Sequence, residues 1–196
     1  MALAGGGTGG HIIPALAIAE YLKTHIDLQS TFKDAQFLFF GSDYGMETKL
    51  IPEAGFDLVT LPIRGLSRSF SLDGLKRNCL LPGRLIVSIT KANKALRNFN
   101  PHITVGTGGY ASAIPVRQSL RNNIPIVLQE QNSYPGMVTR IFAPKAQQVF
   151  LTYEDAQSYL KGAETLITGN PVRHLGKKHD RTEAAEYFGL SPELPT

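Results

Sequence analysis

The chain has no tryptophan and only one cysteine, Cys79, in 196 residues. A single cysteine excludes an internal disulfide, and with it any fold that relies on covalent staples; a reducing, cytosolic setting fits. Long hydrophobic runs are also missing. Arg84, Ser88 and Lys91 interrupt the best candidate, so no segment approaches the ~18 apolar residues of a membrane span. The N-terminus lacks the basic flank and apolar core of a secretory signal. There is no Asp-x-Asp pair and no cluster of cysteine and histidine, so no metal site is marked and no cofactor is expected. The apolar fraction is 42% and the charged fraction 18%, as in an ordinary globular protein with length for one substantial domain.

Acidic residues are scarce where basic ones gather. From Arg64 to Arg97 there are eight basic residues (Arg64, Arg68, Lys76, Arg77, Arg84, Lys91, Lys94, Arg97) and one acid, Asp73. The segment carries +7 and leaves −3 for the rest of a chain whose net charge is +4. A basic patch on a weakly acidic body suits an anionic partner, either phospholipid or nucleic acid, or is simply a solvated helix face.

Apolar strands and helical patterns alternate along the chain. Strands are expected at 2–4, 36–40, 58–63, 103–105, 125–128, 148–151 and 165–168. Helices are expected at 12–22, 46–54, 111–121, 138–142 and 182–188, with a long helical region at 72–99 broken by Pro82-Gly83. Within that region Leu85, Ile89, Ala92 and Leu96 are spaced for one core-facing stripe. This alternation predicts a parallel sheet covered on both faces, a Rossmann-like doubly wound α/β domain. The first strand is short, and after Asn170-Pro171 the sequence turns polar. The expected division is a domain over 1–168 and a junction over 169–196 leading toward a further domain.

Two glycine loops occupy strand-to-helix positions. Gly5-Gly6-Gly7-Thr8-Gly9-Gly10-His11 follows the first strand, and Gly106-Thr107-Gly108-Gly109-Tyr110 follows the fourth; both contain Gly-Thr-Gly-Gly. Glycine lets backbone approach a ligand, and a helix N-terminus offers free N–H groups to anions. In an open α/β sheet such loops lie beyond the carboxyl ends of the strands, where two of them could flank a diphosphate. Tight turning alone would also explain the glycines. Gly5, Gly7 and Gly10 satisfy the dinucleotide fingerprint as well, but the second strand ends Phe40-Gly41-Ser42 and its acid, Asp43, comes late. An NAD-dependent oxidoreductase is therefore the second reading. A basic module binding nucleic acid is the third, since interleaved aromatics and a recognisable motif are missing, and no nucleic-acid partner is expected.

The first loop with Pro14-Ala15-Leu16-Ala17, the second loop continuing into Ala111-Ser112, Glu130-Gln131-Asn132 after the fifth strand, and Gly169-Asn170-Pro171-Val172-Arg173 together resemble the MurG family of N-acetylglucosaminyltransferases. The four motifs stand in family order across residues 2–173. Gln129 departs from the pattern, where the family commonly has histidine. The resemblance implies the N-terminal half of a GT-B glycosyltransferase, which receives a lipid-linked acceptor while a C-terminal domain holds most of the donor. The implied reaction transfers N-acetylglucosamine from UDP-N-acetylglucosamine to the C4 hydroxyl of undecaprenyl-diphospho-N-acetylmuramoyl-pentapeptide, with inversion, in peptidoglycan synthesis. The acceptor-binding half alone is expected to be inactive.

Such chemistry needs a base at the acceptor hydroxyl and stabilisation of the departing diphosphate. His11, at a helix N-terminus inside the first loop, is the first candidate base, and Glu130 the second. The alternative roles are structural: a hydrogen-bonding histidine, and a carboxylate holding a neighbouring loop. The backbone of Gly106, Thr107, Gly108 and Gly109 and of the first loop is expected to hold the acceptor diphosphate, with hydroxyls from Thr8 and Tyr110. The resemblance further implies that Thr8, Gly9, Gly10, Asn132 and Arg173 reach the nucleotide-sugar. Leu75, Leu80 and Leu81, interleaved with Lys76, Arg77 and Arg84, are expected to rest on an anionic membrane at the cytoplasmic face of the inner membrane.

Overall fold

The computed structural model describes residues 1–24, 34–65, 79–173 and 181–191. Its strands are β1 (Ala2–Gly5), β2 (Leu38–Ser42), β3 (Asp57–Leu61), β4 (Thr104–Gly108), β5 (Ile126–Glu130), β6 (Gln148–Leu151) and β7 (Thr165–Ile167). The α-helices among the described residues are α1 (Gly9–Thr24), α2 (Glu47–Glu53), α3 (Leu81–Phe99), α4 (Ala113–Arg121), α5 (Met137–Phe142) and α6 (Arg181–Tyr187). The strands form one parallel sheet in the order β3-β2-β1-β4-β5-β6-β7. Parallel neighbours need crossover connections, which place helices on both faces. The expected doubly wound Rossmann-like sheet is therefore present.

Alternation along the strands divides the core in two. Ala2, Ala4, Phe40, Leu61, Ile126 and Leu128 face α3 and α4. Leu3, Phe39 and Val105 face Ile12 and Leu16 of α1 and Ile51 of α2. Each fully buried Phe or Leu contributes roughly 1.5–3 kcal/mol relative to exposure, so the two-sided pattern fixes register: a one-residue slip would exchange the faces. The sequence order reverses between β1 and β4. There Gly5 pairs with Gly108 after a bulge between Ala4 and Gly5, setting the two glycine loops side by side at the topological switch point, the ligand crevice of such sheets.

The helical region is interrupted beside Pro82-Gly83: Cys79 is helical, Leu80 is a turn and α3 begins at Leu81, while the part of the region before Cys79 lies outside the described residues. Pro82 stands in the first turn of α3, where no intrahelical partner awaits its missing N–H. The helix ends at Asn100, a left-handed cap with φ 47° whose N–H donates to Leu96 O at 2.8 Å. Ala92 and Leu96 are buried as expected and Ile89 half-buried, but Leu85 is exposed. The reason is length. Nineteen helical residues span about 28 Å, whereas a five-residue strand spans about 17 Å, so the first turns of α3 overhang the sheet. Because the helix returns from the end of β3 to the start of β4, the overhang lies at the carboxyl edge, beside the glycine loops. The part of the basic–apolar segment containing Leu75, Lys76 and Arg77 lies outside the described residues. No described helix is long and apolar enough to cross a membrane.

Candidate functional site

Three segments meet at the carboxyl edge: the loop from β1 into α1, the loop after β4, and Gln131-Asn132 after β5. His11 is half-buried in the first turn of α1. Its Nδ1 lies 3.1 Å from the Thr107 carbonyl oxygen and 3.1 Å from Gln131 Oε1. The Gln131 amide nitrogen donates to Thr107 O at 2.9 Å, to Gln129 O at 3.2 Å, and to Gln129 Oε1. Those three partners only accept, so the amide is oriented with its oxygen toward His11. Two acceptors then face Nδ1, which must carry the proton. Nε2 is left with a free lone pair and no hydrogen-bond partner among the described residues, the form a base requires. Gln129, standing where a histidine was expected, is buried and links Gln131 to Thr152 Oγ1 at 3.5 Å.

The glycines divide into two groups. A Cβ on Gly7 would come within 2.6 Å of the Tyr110 ring, one on Gly108 within 2.8 Å of His11 Nδ1, and one on Gly109 would overlap the Gly6 carbonyl. Gly7, Gly108 and Gly109 also have positive φ, at 88°, 95° and 77°. The fold itself requires these residues. Gly9 and Gly10 differ: their φ is not positive, and a Cβ on either would find nothing closer than 3.7 Å. Nothing in the packing of the described residues demands glycine there. The bare backbone at the start of α1 is open to a ligand, and Pro14 supplies no N–H to the Gly10 carbonyl four residues earlier.

Other expected site residues are placed as follows. Thr8 is exposed at the mouth. Thr107 is fully buried, and its hydroxyl donates to His11 O at 2.7 Å; it joins β4 to α1 instead of facing solvent. Gly106 lies inside β4, where a Cβ would press on Leu128 and Val116. Tyr110 is half-buried, and its hydroxyl donates to Ser42 Oγ at 3.4 Å. Glu130 does not join the His11 cluster. One of its oxygens accepts from Asn132 N at 3.1 Å and Asn132 Nδ2 at 2.8 Å, the other from Gly136 N at 2.9 Å. This carboxylate holds the loop entering α5. Arg173 is also elsewhere, in a two-pronged pair with Glu20 of α1 at 2.9 and 2.6 Å. The hydrogen bond to Glu20 raises the guanidinium pKa.

Two residues were missed in the sequence. Gln131 is one. The other is Glu47, fully buried in the first turn of α2. It accepts from Ser42 N and Ser42 Oγ, both at 2.7 Å, and from Gly7 N at 3.1 Å. A buried carboxylate is tolerated only with such donors. Its negative charge lies directly beneath the first loop and engages one of that loop's N–H groups. Beyond β5 and β6, a cleft of about 480 Å³ opens between Ser133 and Tyr134 and a wall of Glu154, Asp155 and Tyr159. No described group of three or more His, Cys, Asp or Glu side chains is gathered to hold a metal ion.

Comparison with known proteins places the chain in context. Residues 1–151 match the glycosyltransferase family 28 N-terminal domain. A UDP-N-acetylglucosamine–N-acetylmuramyl-(pentapeptide) pyrophosphoryl-undecaprenol N-acetylglucosamine transferase of Christiangramia forsetii is 41% identical over 196 residues, 99% of this chain and 51% of the relative. The enzyme of that name from Amoebophilus asiaticus is 38% identical, over 99% of this chain and 52% of its own length. The chain thus spans about half the length of the curated relatives it matches. Among solved structures, Acinetobacter baumannii MurG superposes with a TM-score of 0.66 at 21% identity, over 90% of this chain and 46% of that one.

Proposed function

Because the chain belongs to glycosyltransferase family 28, we propose that it is the acceptor-binding half of an enzyme that transfers N-acetylglucosamine from UDP-N-acetylglucosamine to the C4 hydroxyl of undecaprenyl-diphospho-N-acetylmuramoyl-pentapeptide. Residues 1–168 form the acceptor domain in this reading, and 169–196 lead to the donor-binding half. The observation that carries it is the free Nε2 of His11, beside a bare-backbone helix start and between two loops at the switch point.

The acceptor C4 oxygen attacks the anomeric carbon of the donor as its proton passes to His11 Nε2. The bond to the UDP oxygen breaks, the electron pair leaves on the diphosphate, and attack from the opposite face inverts the centre. A base so positioned contributes about 10²–10⁴ in rate. In this reading Thr8, Gly9, Gly10 and Asn132 reach the nucleotide-sugar. Glu20 follows Gly9 by eleven residues, about 16 Å along α1. Arg173 therefore reaches a nucleotide only by exchanging Glu20 for a phosphate, and otherwise holds the junction on the domain. The cleft beyond β5 and β6 gives room for the muramoyl-peptide.

Attachment to the cytoplasmic face of an anionic membrane belongs to the same proposal. Leu80, Leu85, Ile86 and Val87 are exposed at the overhanging start of α3, on the edge where a lipid-linked acceptor must arrive, with Leu81 and Arg84 half-buried among them. The deciding experiment is His11→Ala in the full-length enzyme, followed by UDP release with a soluble lipid-linked acceptor. We expect kcat to fall by about 10²–10⁴; a loss below about tenfold would remove His11 as the base.

A further inference from the structure

The glycine loops supply N–H groups but no cation. Among the described residues, the imidazole and carboxylate in contact with them are His11, whose proton faces inward, and Glu47, which is buried beneath the first loop and occupies Gly7 N–H. A diphosphate diester is a dianion, and placing it above a buried carboxylate without compensating charge is unfavourable. Cations must come from the rim.

They stand at the β2–β3 side of the second loop. The Arg64 guanidinium carbon lies 3.4 Å from the centroid of the Tyr44 ring, and that of Arg84 lies 6.0 Å from the same centroid. Tyr44 N donates to Ser42 Oγ at 3.4 Å, and Tyr110 of the second loop donates to the same oxygen. A Cβ on Gly65 would rest 3.5 Å from the Tyr110 ring. Contacts thus run without a gap from Arg64 to the loop. The Nε of Arg64 is buried with no hydrogen-bond partner, and neither arginine forms an ion pair among the described residues. Two guanidiniums held within 6.0 Å of one ring centroid repel each other, and an anion on their outward N–H groups offsets that repulsion.

The geometry points to a diphosphate subsite formed by Arg64 and Arg84 around Tyr44, completing the charge that the glycine loops lack. It rests on the acceptor-binding reading and deepens it, since the ligand class is the diphosphate of a polyprenyl-linked sugar. The subsite lies between the loops and the exposed Leu80, Leu85, Ile86 and Val87. A ligand seated there would have its sugar toward His11 and its prenyl chain toward the apolar overhang. A phospholipid headgroup offers the same phosphate chemistry, and the test separates the two.

Inorganic pyrophosphate and a water-soluble short-chain prenyl diphosphate are titrated into the chain by calorimetry. Arg64→Gln and Arg84→Gln should each weaken both ligands by about tenfold or more, since each removes a charge-assisted hydrogen bond. The double variant should lose about a hundredfold, with a shallower salt dependence. Tyr44→Leu should weaken binding with both charges retained, and Arg121→Gln, at the opposite edge, should leave it unchanged. Phenylglyoxal modification of the unaltered chain, read by mass spectrometry, avoids any folding defect: pyrophosphate should protect Arg64 and Arg84. Absence of protection, or a folded double variant binding pyrophosphate within twofold of the parent, overturns the subsite. So does a double variant that loses only sedimentation with phosphatidylglycerol vesicles, because the arginines would then serve the bilayer alone. Pyrophosphate binding that needs both arginines in a full-length protein that transfers no sugar would leave the subsite standing and remove the glycosyltransferase reading.

Discussion

Thr107 and Gln131 reach His11 from 96 and 120 residues along the chain, and together they decide which imidazole nitrogen is free. Gln131→Met keeps the volume but removes one of the two acceptors. In the full-length enzyme kcat should fall about tenfold, the worth of one hydrogen bond of roughly 1–1.5 kcal/mol, while KM for the acceptor stays constant. An unchanged kcat would mean that the Thr107 carbonyl alone fixes the tautomer. The glycines give a second contrast at this scale. Gly108→Ala strains a backbone at φ 95° and drives a methyl into the His11 ring, so it should cost about 1–3 kcal/mol of stability, read from the urea midpoint. Gly9→Ala should leave stability unchanged and raise KM. The positive φ at Gly108, which Gly9 does not share, separates the two variants. Equal stability of the two variants would show that the division of glycines is wrong.

At the scale of elements, α3 combines a core end with an overhang. Ala92 and Leu96 anchor it, while Ile86 and Val87 face solvent at 66% and 53% exposure. Ile86→Ser with Val87→Ser should therefore leave thermal stability within about 0.5 kcal/mol, yet reduce sedimentation with phosphatidylglycerol vesicles. Adding salt should remove a further part of the binding, through Arg84 and its basic neighbours. Sedimentation equal to the parent's would make the overhang a plain solvated end. The alternating elements were legible because apolar runs and glycine turns are local signals, and strand positions from the sequence fall within a few residues of β1–β7. The exposure of Leu85 was not legible, since it depends on how far α3 outreaches the strands. Nor was the role of Glu47: its partner Gly7 is 40 residues away, and no local pattern distinguishes a buried carboxylate from a surface one in a helix's first turn.

For the whole molecule, the chain by itself should release no UDP with a soluble lipid-linked acceptor, because this reading assigns most donor contacts to the other half of the enzyme. Turnover comparable to that of a full-length relative would sink that division. The candidate site was half legible: His11 and the glycine loops are visible as motifs, whereas Gln131, Arg64 and Tyr44 gain meaning only when distant strands are side by side. That same arrangement has a kinetic consequence. The strand leading into the first loop pairs with β4, Ala2 against Thr104, so the central ladder closes a loop of about a hundred residues. High contact order slows folding, because loop-closure entropy is met before the pairing rewards it. On a ribosome adding roughly 5–20 residues per second, β1 waits on the order of 5–20 s for its partner. Until β4 arrives, the Leu3 and Phe39 strands offer an open edge to any other nascent chain, and a holding chaperone acting over that interval would raise the yield of correctly paired sheet.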